Sequence, residues 1–83
     1  MDKILVGINI PAIHERYDAF VPLDVPVAEL TSVIANGVSE LTDGKYSVSA
    51  LEMLSLKEPE MLMDPMLTLR DYNVRDGMQL YLL

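Results

Sequence analysis

Apolar and polar side chains alternate from Lys3 to Ile10, so that Ile4, Val6, Ile8 and Ile10 share one face of an extended strand and Leu5 lies on the other. Pro11 ends the strand. A turn over residues 11–16 follows, and Tyr17 to Leu23 resumes as a second strand, which makes the opening of the chain a β-hairpin. Pro22 has no N–H to give a ladder and belongs at a strand end or on an edge.

After Asp24 the period lengthens. Val27, Leu30, Ile34 and Val38 recur at three- and four-residue intervals, with Val33 and Leu41 alongside, and this stripe predicts one amphipathic helix. Pro26 suits its first turn, where a missing N–H costs nothing, and Asp24 or Glu29 complements the positive end of the helix dipole. Gly37 weakens the third turn by about 0.5–1 kcal/mol relative to alanine. Asp43-Gly44 closes the segment.

Short strands return after Val48. Leu51 to Leu56 reads as one and Met61 to Met63 as another, joined through Lys57-Glu58-Pro59 and ended by Asp64-Pro65. Thr68 to Tyr72 reads as a short helical turn, and Asp76-Gly77 as a tight turn before a final strand, Met78 to Leu83. The resulting order, ββαββ-turn-β, is α+β and matches the β-grasp, in which a mixed sheet wraps one helix. Alternation then buries Leu80 and Leu82 and turns Tyr81 and Leu83 outward. With Leu62 inward, Met61 and Met63 also point outward near the same face.

A length of 83 residues supports one small core, hence a single domain over residues 1–83. The absence of cysteine removes disulfides, thiolate metal sites and thiol catalysis, and fits a reducing, cytoplasmic setting. Neither a secretory leader nor an apolar run long enough to span a bilayer is legible. Thirteen acidic against six basic side chains give a net charge of −7, which disfavours nucleic acid and anionic membrane as partners.

The C-terminal third is more specific than its pattern alone. Thr68-Leu69-Arg70-Asp71-Tyr72-Asn73-Val74 and Gly77-Met78-Gln79-Leu80-Tyr81-Leu82 resemble the "TLSDYNI" turn and closing "TLHL" strand of ubiquitin. The resemblance implies that Leu69 plugs the core, that Tyr72 engages a backbone group nearby, and that Val74 packs under the sheet. Gly77 falls where the chain needs a positive φ. Tyr17-Asp18-Ala19-Phe20-Val21-Pro22 through Val25-Pro26-Val27-Ala28-Glu29-Leu30 is similar to the second strand and helix start of the YukD/EsaB family, ubiquitin-like proteins encoded with type VII (ESX-like, WXG100) secretion machinery. The "VPVAEL" at Val25 to Leu30 also resembles the ubiquitin-like domain of the related membrane component EccD. This resemblance implies an accessory or regulatory component of a type VII secretion system, cytoplasmic or held at the membrane through a partner, with secretion-machine proteins as its partners.

Chemistry for other roles is missing from the sequence. A conjugated tag or sulfur carrier needs an extended Gly-Gly end, whereas the given residues finish in Tyr81-Leu82-Leu83. His14 is alone, the four glycines are isolated, and Ser39 and Ser47 have no motif supplying a base, so no enzyme activity, metal or cofactor is expected. Asp64, Asp71 and Asp76 fit turn capping. Protein binding through Tyr81, Leu83, Met61 and Met63 is the expected activity, with the methionines able to serve either the core or an adaptable surface. The alternatives are a regulatory subunit of an unrelated enzyme complex and a homo-oligomer formed through an edge strand.

Overall fold

The computed structural model describes residues 2–83. Strand β1 (Lys3–Ile10) pairs antiparallel along its whole length with β2 (Glu15–Pro22), placing Ile4 opposite Val21 and Ile8 opposite Tyr17. The turn between them is a short 3-10 segment, Pro11–Ile13, that reverses at His14 in the left-handed region. Helix α1 (Val27–Leu41) crosses one face of the sheet. Three short strands complete it: β3 (Leu54–Lys57), β4 (Glu60–Leu62) and β5 (Gln79–Leu82).

Strand order is β2-β1-β5-β3-β4, so the last strand of the chain lies in the middle. β5 runs parallel to β1, with Ile8 opposite Leu80, and antiparallel to β3, with Leu56 opposite Leu80. A mixed five-stranded sheet folded over a single helix is the expected β-grasp, α+β architecture. Its core is built from the predicted stripes: Val6, Ile8, Ile10, Leu54, Leu56, Leu80 and Leu82 from the sheet meet Val27, Leu30, Ile34 and Val38 from the helix. Val33 and Leu41, expected beside that stripe, are instead 63% and 70% exposed. Val33 lies on the helix flank and Leu41 in the final turn, beyond the cover of the sheet.

Two long connections are held by specific contacts. The segment after β4 caps the helix, because Val27 N–H donates to the Leu67 carbonyl (2.7 Å) and Ala28 N–H to the Pro65 carbonyl (3.0 Å), satisfying donors with no intrahelical partner. Leu69 is fully buried, and Asp64 N–H donates to the Tyr72 hydroxyl (2.6 Å), as the ubiquitin resemblance implied. Gly77, at φ 86, turns the chain into β5. The second connection, residues 42–53, is where the sequence misleads. The strand expected from Leu51 starts at Leu54, because Ser49 N–H and Oγ–H both donate to Glu52 Oε2 and fold residues 49–52 into a turn. Leu51 is left 83% exposed.

Arg70 ties the C-terminal turn to the start of the chain. Its guanidinium donates to both carboxylate oxygens of Asp24 (2.6 and 3.0 Å) and to Asp2 (2.8 Å). The Arg70 hydrogen bonds hold the Asp24 carboxyl below its ordinary value of 3.8. A carboxyl depressed in the folded state adds stability that is fully present above its unfolded pKa and disappears as pH falls through the folded one. Asp24→Asn is therefore expected to flatten the loss of thermal stability between about pH 5 and pH 2, measured by circular dichroism melts. In the core, Leu80→Ala should cost about 2–5 kcal/mol in urea unfolding, because it opens a cavity where three strands and the helix meet.

Candidate functional site

The sheet face opposite α1 is divided in two. On the β1–β2 side it is polar around Asn9, Arg16, Asp18 and Gln79, with Leu5 and the exposed Phe20 beyond them. Gln79 lies flat across β1 because Gly7, beside it in the parallel register, has no Cβ; one added there would run into the Gln79 amide. Gln79 Oε1 accepts hydrogen bonds from Asn9 Nδ2 (3.1 Å) and Arg16 Nε (2.9 Å), and Arg16 also pairs with Asp18. These polar groups are already engaged with one another.

On the β3–β5 side the face is apolar. Tyr81 stands opposite Ser55, and Ser55 stands opposite Leu62, so one row crosses β5, β3 and β4. Beside it, Met53 and Leu83 extend the sheet by exchanging backbone hydrogen bonds (3.1 and 2.9 Å). Ser55, though 1% exposed, is polar and small; its hydroxyl donates to the Leu56 carbonyl (2.8 Å), leaving a low floor between Tyr81 and Leu62. Met53, Leu62 and Leu83 are 43%, 53% and 51% exposed, and Tyr81 is half-buried among them. Lys57 closes one end, its ammonium 5.9 Å from the Tyr81 ring centroid, within cation–π range.

Of the four side chains singled out in the sequence, the structure brings Tyr81 and Leu83 together on this face. Met61 is exposed but opposite Leu56, so it projects from the helix side at the sheet edge. Met63 is corrected outright: it is 2% exposed and belongs to the core. The cause is register. Pairing of Ser55 with Leu62 puts Leu62 on the face of Tyr81, and the next residue, whose N–H bonds to the Leu54 carbonyl, must turn inward. Met53 and Leu62 are the residues that sequence reasoning missed, since their faces are set by how β3 pairs with β5 and β4.

His14 is exposed at the hairpin reversal, and among the described residues no three His, Cys, Asp or Glu side chains converge as metal ligands. Two of the three aspartates cap turns, Asp64 accepting from Met66 N–H (2.8 Å) and Asp71 from Thr68 N–H and Oγ–H (2.9 and 3.1 Å), whereas Asp76 ties its turn to β1 by accepting from Leu5 N–H (2.8 Å). No helix among the described residues is long and apolar enough to cross a membrane.

This sheet, helix and turn define a ubiquitin-like β-grasp protein. Residues 5–82 match the family model described as "WXG100 protein secretion system (Wss), protein YukD", and the chain belongs to that family. Among solved structures it is similar to the ubiquitin-like domain of the Mycobacterium tuberculosis type VII secretion system protein ECCD1, at 17% identity and a TM-score of 0.78, over 100% of this chain and 99% of that one. It is also similar to the EccD5 ubiquitin-like domain from Mycobacterium xenopi, at 21% identity and a TM-score of 0.68, over 100% and 94% of the two chains. A chain of the MycP5-free ESX-5 inner membrane complex matches at 17% identity and a TM-score of 0.71, with this protein covering 21% of its length. No curated protein matches the sequence.

The corrected register has a direct test. Leu62→Asp should change stability by no more than about 0.5 kcal/mol, whereas Met63→Asp, which buries a carboxylate without a partner, should cost more than about 3 kcal/mol in urea unfolding. Equal effects at the two positions would contradict the assigned faces.

Proposed function

We propose that this chain acts as a single ubiquitin-like domain, without catalysis or conjugation, that binds proteins of a WXG100-type secretion machine through the strip Met53, Leu62, Tyr81 and Leu83. The observation that carries the reading is this continuous apolar strip on the solvent side of the sheet in a member of the YukD family. Scattered apolar surface is ordinary in small proteins, but side chains aligned across three paired strands form a surface that a partner can desolvate as one unit. The rigid Tyr81 ring, held between Ser55 and Lys57, supplies a large contact with little ordering cost.

Leu82 is 1% exposed and the Leu83 backbone is bonded to Met53, so β5 holds the Tyr81 end of the strip firmly in the sheet. The likeness of its fold to part of a chain in an ESX-5 inner membrane complex supports a place beside membrane machinery, reached through a protein partner.

The experiment is co-purification from the source bacterium with tagged wild type and Tyr81→Asp. Wild type should recover secretion-machine proteins, and the variant should recover at least tenfold less while melting within a few degrees of wild type. A folded variant with full recovery, or wild type with no secretion protein bound, would overturn the reading. Native intact mass tests the conjugation claim separately: a covalent adduct on a second protein would refute it.

A further inference from the structure

The two edges of the sheet are unequal. β4 is three residues long, whereas β2 is eight. On β1, Leu5 and Gly7 turn their N–H groups towards Asp76 and Met78, so the even-numbered β1 residues bond to Val21, Ala19 and Tyr17 of β2. The N–H and C=O groups of Arg16, Asp18 and Phe20 therefore face away from the sheet, and among the described residues none has a hydrogen-bond partner. Pro22, which continues the same outward-facing series, leaves no ladder bond unmade.

Apolar side chains are exposed on both faces of this edge. Phe20, opposite Leu5 and 70% exposed, stands on the face away from the helix. On the helix face a groove of about 230 Å³ runs between β2 and α1, lined by Ala19, Val21, Val33, Gly37 and Leu41. Only a segment lying along the edge reaches both, since successive side chains of a strand point to opposite faces. Gly37 adds an independent sign. A Cβ there meets nothing within 4 Å, so internal packing does not call for glycine, although glycine weakens a helix interior. Its missing side chain keeps the groove open.

Charge selects the occupant. Helical spacing sets Glu29, four residues before Val33, and Glu40, three after Gly37, on the helix flank next to two residues that line the groove, and Asp18 lines it from β2; neither glutamate forms an ion pair among the described residues. A second copy would bring another −7 against this rim, whereas a segment flanked by Lys or Arg would be drawn to it. We propose that the β2 edge and the β2–α1 groove take an extended apolar segment, flanked by basic residues, from another protein, which adds to the sheet as a sixth strand. This surface is separate from the Tyr81 strip, and its success or failure leaves the reading above untouched.

The probe is a fluorescein-labelled ten-residue peptide with alternating Val and Ile in its centre and two Lys at each end, beside a control with Glu for Lys. The Lys peptide should bind saturably, at least tenfold tighter than the Glu peptide, and shift the amide resonances of Arg16, Asp18 and Phe20. Gly37→Leu should weaken binding at least tenfold while melting no lower than wild type. Leu41→Lys, at an exposed position, should do the same if the first variant fails to fold, and Tyr81→Asp should bind as wild type does. The proposal is overturned if the Lys peptide shows no saturable binding or no preference over the Glu peptide, or if the shifts map to Leu62 and Tyr81. Folded groove variants with unchanged affinity would also overturn it, as would concentration-dependent self-association that protects the same β2 amides, which assigns the edge to a second copy.

Discussion

The structure depends on the insertion of β5 between β1 and β3. Without it the sheet is two separate hairpins, β1–β2 and β3–β4, each too small to be stable alone in water. The parallel pairing of β5 with β1 joins residues some seventy positions apart, so chain-closure entropy is lost before any contact forms. What offsets it is burial: Leu80 and Leu82 enter the core at 0% and 1% exposure, and Leu69 and Val74 fill the space beneath the turn that leads there. The Arg70 contacts with Asp2 and Asp24 fasten the same turn to the opposite end of the chain.

From that insertion the functional face follows by parity. Once Leu80 and Leu82 point inward, Tyr81 and Leu83 must point out. Pairing carries the choice across to β3, where Met53 and Ser55 share their side, and then to Leu62 on β4. An apolar strip three strands wide is thus a consequence of burying the other half of each strand. On the β1–β2 half of the same face the Gln79 hydrogen bonds to Asn9 and Arg16 set a polar border beside the exposed strip, with Phe20 beyond it.

Most of this was legible in the sequence, and the exceptions share a cause. Strand β1, the helix stripe from Val27 to Val38, the roles of Leu69, Tyr72 and Val74, and the inward set of β5 could be read because each rests on local periodicity or a distinctive run of residues. Met63 could not. Its side depends on the pairing of β3 with β4, and β3 begins three residues later than its apolar run because the Ser49–Glu52 turn consumes Leu51. A shift of one in register exchanges faces, so taking Leu62 as inward sends Met61 and Met63 to the wrong side together. Val33 and Leu41 differ from the helix stripe for a related reason: hydropathy gives the stripe but not how far the sheet extends over it.

The central claim, that β5 is the innermost strand and presents one face outward, is tested most directly by native-state hydrogen exchange. The amides of Leu80, Tyr81 and Leu82 should be among the slowest in the protein, exchanging only through global unfolding, with a free energy equal to that from denaturant melts. Exchange of these amides at the rate of the 42–53 loop would place β5 outside the cooperative core and contradict the account.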